Sequence, residues 1–140
     1  MSMKMVGSFP GYQNYYHLVR STKYRKSLFV NLDVRNRLRD VLMEISEQME
    51  GLKIDEVTVA YNHVHLLIKT ELPLDKVAKK LYGVSSRLLR KEFPFLKEES
   101  VEALWGGREC ISIKDRDHLL NCRSYIQRHQ PDNTKVDGPL

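Results

Sequence analysis

The chain has 140 residues, of which 41% are hydrophobic and 29% charged, which is typical of a globular protein and not of a disordered or membrane-spanning one. No apolar stretch reaches the length of a membrane span, and we expect no signal peptide in residues 1–10. The net charge of +5 favours a polyanionic partner. Because two cysteines are too few for a disulfide framework, we expect a reducing, intracellular setting. We also expect one domain over residues 1–140, with an ordered core from about 12 to 132.

In chain order, residues 13–21 form a first predicted strand, rich in tyrosine, leucine and valine. Residues 33–50 follow as a helix, because apolar residues recur there at helical spacing and Gly51 is a natural stop. Residues 53–60 and 62–68 are strands separated by a short polar break, which predicts a hairpin. Residues 74–93 form a second helix, ended by Pro94.

The last third of the chain contributes one strand and one helix. Trp105-Gly106-Gly107 is predicted to be a turn, followed by a strand over residues 108–113. Asp115 is predicted to cap a helix that reaches about residue 130, and the tail after Asn133 is expected to be loose. The order β-α-β-β-α-β plus a helix predicts an α+β, ferredoxin-like fold: an antiparallel sheet with packed helices and an additional C-terminal helix.

The most informative short motif is His63-Val64-His65, because it places two imidazoles two residues apart on a predicted strand. Alternate residues of a strand point to one face, so the two rings lie side by side, about 6 to 7 Å apart along the chain. Such a pair can bind one divalent metal ion. Alone, however, the pattern is weak.

The last predicted helix supplies a second set of functional side chains. Its His118, Cys122, Tyr125 and His129 recur at spacings of four, three and four, which is one helix face. A phenol is mostly protonated at neutral pH, so attack by Tyr125 on a phosphodiester needs a cation to neutralise the phosphate charge. In this hypothesis Tyr125 is the nucleophile, and His129 or Gln130 is a third metal ligand beside the histidine pair.

Simpler interpretations stand beside this hypothesis. Tyr125 on an amphipathic helix is more often a packing residue, and His129 near a helix C-terminus is well placed to interact with the helix dipole. His17 alternates with apolar neighbours on the first strand and is most simply a core histidine. His118, Cys122 and His129 are a thin zinc signature.

Positive charge is clustered along the sequence, and tyrosines are interleaved near the first cluster. Solvated helix faces explain any one cluster, whereas the whole set is at least as consistent with phosphate contacts and base stacking. On charge alone, the candidate DNA contacts are Arg20, Lys23, Arg25, Lys79, Lys80, Arg87 and Arg90.

Four segments together resemble the single-tyrosine transposases of the insertion-sequence-200/605 type, within the histidine–hydrophobic–histidine endonuclease superfamily. The segments are residues 16–25, the histidine strand at 62–68, the second helix at 82–94, and Leu104-Trp105-Gly106-Gly107 followed by Tyr125. They cover about residues 15 to 130 in the family's order and spacing.

The resemblance implies an enzyme that cleaves and rejoins single-stranded DNA at hairpin-marked ends of a mobile element. Tyr125 would form a 5′-phosphotyrosine, while His63 and His65 would hold Mg²⁺ or Mn²⁺. It further implies a homodimer whose sheets merge at their edges, with composite sites in which one copy's tyrosine helix serves the other. The expected location is the cytoplasm of a prokaryote, at the nucleoid when the enzyme acts.

Three positions depart from the family pattern. His129 stands where a glutamine is usual, and a neutral imidazole can ligate as an amide oxygen does, so His129 is our first choice of third ligand and Gln130 the second. Asn62 replaces a common aspartate and is a further candidate for a metal contact or for orienting a ligand. Glu109 and Cys110 stand where aromatic residues are usual.

Three rival functions remain open at this point. A related tyrosine recombinase that acts on repeated palindromes would use the same residues. A non-catalytic, ferredoxin-like single-stranded nucleic-acid binder would bind without metal and would tolerate Tyr125→Phe. A small zinc-binding regulator would use His118, Cys122 and His129, and would lose its fold with a chelator.

Overall fold

A computed structural model of the chain describes residues 13–131; the expected tail after Asn133 and residues 1–12 lie outside the described residues. The elements, in chain order, are β1 (Tyr15–Thr22), α1 (Leu32–Gln48), β2 (Leu52–Val59), β3 (His63–Thr70), α2 (Leu74–Glu92), α3 (Pro94–Glu99), β4 (Trp105–Ser112) and α4 (Arg116–Arg128). The strands form one antiparallel sheet in the order β2-β3-β1-β4. The predicted ferredoxin-like α+β fold, with an additional C-terminal helix, is therefore confirmed.

Helices α1 and α2 cover one face of the sheet, and the main hydrophobic core lies between them. Asn31 caps α1 by accepting hydrogen bonds from the backbone N–H groups of Asp33 and Val34. One stripe of α1 is buried against the sheet, where Leu38 and Leu42 are fully inaccessible. On the sheet side, this core contains alternate residues of β3, namely Val64, Leu66 and Ile68, which are all fully buried.

Helix α4 lies on the opposite face of the sheet. Asp115 caps it as predicted, since its carboxylate accepts a hydrogen bond from the backbone N–H of His118. A second, smaller apolar cluster attaches the helix, formed by Tyr15, Leu67, Ile113, Leu119, Cys122 and Ile126. The Thr58 hydroxyl on β2 also donates to the Ile126 carbonyl at 2.8 Å, and the Arg123 guanidinium donates to the Asp55 carboxylate at 2.8 Å. These polar contacts fix how α4 lies across the sheet.

One local prediction was wrong, and one short helix was not predicted. Trp105, Gly106 and Gly107 do not form a turn but begin β4, where Trp105 pairs with Thr22 across an irregularity in the register. Gly106 is required there for a close approach, because a Cβ would lie 2.9 Å from the Thr22 carbonyl oxygen. In addition, Pro94 ends α2 but also starts the unpredicted short helix α3, since its fixed φ suits a first helical position.

Within residues 13–131, none of the helices combines the length and the apolar character that crossing a membrane requires.

Candidate active site

The histidine pair lies on the face of the sheet that α4 covers. Strand alternation directs His63, His65 and Leu67 to this face and the intervening apolar residues to the main core. In the β1–β3 register, Val19 is opposite His65 and His17 is opposite Leu67, so the β1 histidine shares the face. The antiparallel pairing therefore brings His17 to the site although it lies 48 residues from His65 along the chain.

His65 is the most deeply buried of these imidazoles, with 4% of its surface exposed. Its Nδ1 lies 3.1 Å from Nε2 of His17, and one of these two nitrogens carries the shared hydrogen. The His65 Nε2 is buried and has no hydrogen-bond partner among the described residues. Burial, followed by the neighbouring histidines, lowers the pKa of His65 to about 3, so the ring is neutral at physiological pH. A neutral imidazole with an unpartnered nitrogen is what a metal ligand requires.

The side chain of Asn62 forms a hydrogen bond with the ring of His63. Its Oδ1 is 2.8 Å from Nδ1 of His63, and because a carboxamide oxygen only accepts, the Nδ1 must donate. This leaves the His63 Nε2 as a lone-pair nitrogen. The Asn62 Nδ2 also donates to the Arg25 carbonyl at 3.4 Å. Asn62 was a candidate either for a direct metal contact or for orienting a ligand. Its oxygen already accepts a hydrogen bond from His63, which is the arrangement of a residue that orients the imidazole.

Helix α4 brings Tyr125 and His129 to the same place. The centre of the Tyr125 ring is 5.6 Å from that of His65, and the His129 ring is 5.1 Å from His65. The His129 Nδ1 lies 3.2 Å from the Tyr125 carbonyl oxygen, so it donates and leaves its Nε2 free. Tyr125 keeps 40% of its surface exposed and lines the same pocket as the histidines.

Together these side chains line an open pocket of about 480 Å³ between the sheet and α4. Arg25 and Glu109 are at the same pocket, so it contains both a cation and a carboxylate. Burial first, and then Arg25, lower the pKa of His63. As it stands, however, no group of three or more His, Cys, Asp or Glu side chains within residues 13–131 is arranged to hold a metal ion. The arrangement provides two neutral imidazoles on a rigid strand, with a phenol and a third imidazole beside them.

The other predicted site residues are distributed over several surfaces. Gln130 does not line this pocket but a separate depression beside β2, with Gln127 and Glu56. Of the candidate DNA contacts, Arg25 is at the histidine pocket. Arg20, Lys79 and Arg90 line a second pocket, on the α2 side of the sheet. The ammonium of Lys23 lies over the Tyr24 ring, and Lys80 and Arg87 are exposed on α2.

Two residues of the pocket, His17 and Glu109, are not among the predicted site residues. His17 was interpreted as a core histidine; it is indeed buried, but it is bonded to His65 in the pocket. Glu109 on β4 was treated only as a departure from a pattern. No local pattern points to either residue, because the pairing of β1 with β3 and with β4 brings them to the pocket. The zinc hypothesis fails on Cys122, which lies in the small apolar cluster, where burial raises the pKa of its thiol to about 11.

Comparisons with known proteins identify a family and agree with the fold. Residues 11–129 match the protein family described as "Transposase IS200 like". A crystal structure of a candidate transposase from Deinococcus radiodurans R1 is 27% identical, with a TM-score of 0.67 over 94% of this chain and 100% of that one. A REP-associated tyrosine transposase bound to a REP hairpin is 12% identical, with a TM-score of 0.58 over 90% of this chain and 70% of that one, and supports the fold alone. No curated protein matches the sequence.

Proposed function

This chain belongs to the family of IS200-like transposases, and from that premise we propose that it cleaves and rejoins single-stranded DNA with Tyr125 as the nucleophile. The observation that carries the proposal is the meeting of Tyr125 with His63, His65 and His129 in one open pocket. The histidine pair comes from β3 and the other two residues from the C-terminal end of α4, and none of the four belongs to the main core.

The reaction exchanges one phosphodiester for another. The Tyr125 oxygen gives up its proton and forms a bond to phosphorus as the P–O3′ bond breaks, and the 3′ oxygen leaves and takes up a proton, so that no net proton is gained or lost. The products are a 5′-phosphotyrosine and a free 3′-hydroxyl. Because the bond energy is conserved in the adduct, a second 3′-hydroxyl can reverse the step without ATP.

The histidine pair fits a divalent metal ion such as Mg²⁺ or Mn²⁺. The unpartnered Nε2 of His65 and the Nε2 that Asn62 leaves free on His63 are the two nitrogens offered. His129, with its Nδ1 turned to the Tyr125 carbonyl, is the third candidate. When bound, such an ion neutralises phosphate charge and orients the phosphate for in-line attack. The chain's own contribution is to hold these rings neutral and to place the phenol beside them.

We further propose that the DNA carries hairpins and that the protein acts as a homodimer with composite sites. The exposed edge of β4 is available for pairing with a second sheet, since most of its residues are exposed. In the single chain, α4 lies on its own sheet through the Thr58–Ile126 and Arg123–Asp55 contacts. A composite site would require the same helix face to dock on the partner copy.

The test uses labelled single-stranded DNA from the ends that flank the gene, with Mn²⁺ or with EDTA. We expect a protein–DNA adduct that survives denaturation, requires metal, and is lost in Tyr125→Phe and in His63→Ala. Both side chains lie at the pocket and outside the main core, so both variants are expected to fold. Tight hairpin binding without an adduct would instead indicate a nucleic-acid-binding protein without this chemistry.

Mixing the two inactive variants tests the composite site. If one copy's tyrosine serves the other's histidines, a mixed dimer of Tyr125→Phe and His63→Ala contains one intact site. We therefore expect the mixture to regain part of the adduct. No recovery from a mixture shown to exchange subunits would mean that each chain uses its own tyrosine.

A further inference from the structure

A second pocket, on the α2 side of the sheet, is rich in positive charge, although the Arg20 and Arg90 guanidinium groups each donate to a backbone carbonyl, at Gly106 and Ser100. It has a volume of about 510 Å³ and is lined by Arg20, Lys79, Arg90 and Arg108, with Asp75 as the one carboxylate. Among residues 13–131, the ion pairs are those of Arg37 with Glu44 and Glu92 and of Arg123 with Asp55. None of the four cations of this pocket is therefore paired with a carboxylate.

Two of these cations are direct neighbours across the sheet. Arg20 of β1 is opposite Arg108 of β4 in the antiparallel register. Like charges in this position repel each other and destabilise the strand pair. Burial lowers the pKa of Arg20, and the charge of Arg108 lowers it further, in the direction expected where repulsion is unrelieved. An anion between the two guanidinium groups would turn this repulsion into attraction.

One residue that lines the pocket, Tyr82, has a buried hydroxyl group without a hydrogen-bond partner among the described residues. The residue as a whole is 5% exposed. The ring itself is held in place, because the Arg20 guanidinium lies 4.6 Å from its centre and the Trp105 ring packs against it. Burial raises the pKa of Tyr82, so the hydroxyl keeps its proton and is available as a donor. The buried Nε of Arg90 is a second donor without a partner.

We propose that this pocket binds a phosphate group of the nucleic-acid strand, held by Arg20, Arg108 and the Tyr82 hydroxyl. Guanidinium groups and a neutral hydroxyl are donors that suit phosphate oxygens. The proposal rests on the proposed function for the nature of the strand. The site is separate from the histidine pocket, because consecutive residues of β4 point to opposite faces: Arg108 lies here and Glu109 lies there.

The first test is Tyr82→Phe, which removes one oxygen and leaves the ring. Loss of a hydrogen bond to a charged group should weaken hairpin DNA binding by about tenfold. The same change should leave the urea midpoint unchanged or raise it, because it removes a buried group that has no partner. If the Tyr82 hydroxyl had only a structural role, Tyr82→Phe would leave the DNA affinity unchanged and would leave the urea midpoint unchanged or lower it. Unchanged affinity in a folded Tyr82→Phe protein would overturn the proposal.

Gly83 offers a second test that does not disturb the Tyr82 packing. It lines the pocket, and a Cβ added to it would meet nothing within 4 Å. Gly83→Glu and Gly83→Gln differ by one charge at nearly equal size. We expect the glutamate variant to bind DNA more weakly and to lose about one unit from the salt dependence of binding, with the glutamine variant close to wild type. Equal binding by the two variants would count against a phosphate at this position.

Binding is measured by fluorescence anisotropy in EDTA, so it depends on neither metal nor Tyr125. Variants that bind weakly but form normal adduct at saturating DNA would support the pocket and the chemistry together. Weakened binding by a chain that forms no adduct would support the pocket and reject only the transposition chemistry. Inorganic phosphate at low millimolar concentration that raises the urea midpoint of the wild type but not of Tyr82→Phe, with equal DNA affinity in the two proteins, would assign the pocket to a free anion and reject the DNA contact.

Discussion

The two faces of the sheet use the same strands for different purposes. The face under α1 and α2 is filled by large apolar side chains, among which Leu66 and Ile68 are completely buried. The face under α4 has a small apolar cluster at one end and the histidine pocket at the other. Side chains alternate between the two faces along β3, so one strand contributes apolar residues to the main core and the histidine pair to the pocket. The difference indicates that stability comes mainly from one face, which leaves the other free to hold buried polar groups.

The largest expected effect tests this division of stability directly. Leu66→Ala, on the α1 and α2 face, should reduce the free energy of unfolding by about 2–5 kcal/mol, because it leaves a cavity in the main core. Leu119→Ala, on α4, should cost less, since the small cluster next to the open pocket can relax. Urea denaturation measures both. Hydrogen exchange should show faster opening of α4 alone in the Leu119 variant. If both substitutions reduced the free energy of unfolding equally, and hydrogen exchange became faster throughout the protein, the two faces would unfold as one unit.

A smaller effect is expected from the bond between His17 and His65. If His17 accepts a hydrogen bond from the His65 Nδ1, it fixes the orientation of the His65 ring and leaves the Nε2 as the nitrogen that would bind a metal ion. His17→Phe should then lower Mn²⁺ affinity by about 10- to 100-fold, whereas His17→Gln, which keeps an acceptor, should lose less. Isothermal titration calorimetry gives the affinities.

Nitrogen NMR of the wild-type imidazoles provides a readout that needs neither metal nor mutation. We expect His65 to carry its hydrogen on Nδ1. A hydrogen on Nε2 would show that His17 does not orient the ring in this way, whatever the variants do.

The last expected effect is a pH dependence of stability. The folded-state pKa values of His17, His63 and His65 are all lowered, to about 3 for His65, while the unfolded chain keeps values near 6.5. Below about pH 6.5 the unfolded state therefore binds more protons, and stability falls as the pH falls toward the folded-state values. Each proton of difference contributes about 1.4 kcal/mol per pH unit. Urea midpoints between pH 7.5 and pH 4.5 test this, and His65→Asn should flatten the slope. A flat profile in the wild type would mean that these rings are not held neutral.

The sequence by itself determined the elements of the fold and the elements that carry the candidate site. The spacing of apolar residues predicted both long helices and the hairpin, because burial on one side imposes a period that can be read directly. The strand and helix patterns singled out the histidine pair and Tyr125, and the match over residues 11–129 confirmed the family resemblance that followed from them. The turn predicted at Trp105–Gly107 failed because a glycine can serve either a turn or a close approach, and only the neighbouring Thr22 carbonyl distinguishes the two.

Only the tertiary structure decided which distant residues meet. The register of β1 against β3 and β4 placed His17 beside His65 and Arg20 beside Arg108, and register depends on pairings that no local pattern encodes. The end of α4 decided between the two candidate third ligands: His129 caps the helix and lines the histidine pocket, whereas Gln130 lies beyond the helix and lines the depression beside β2. The unpartnered hydroxyl of Tyr82 is a property of its surroundings alone, because tyrosine in a helix gives no sign of what its oxygen will meet.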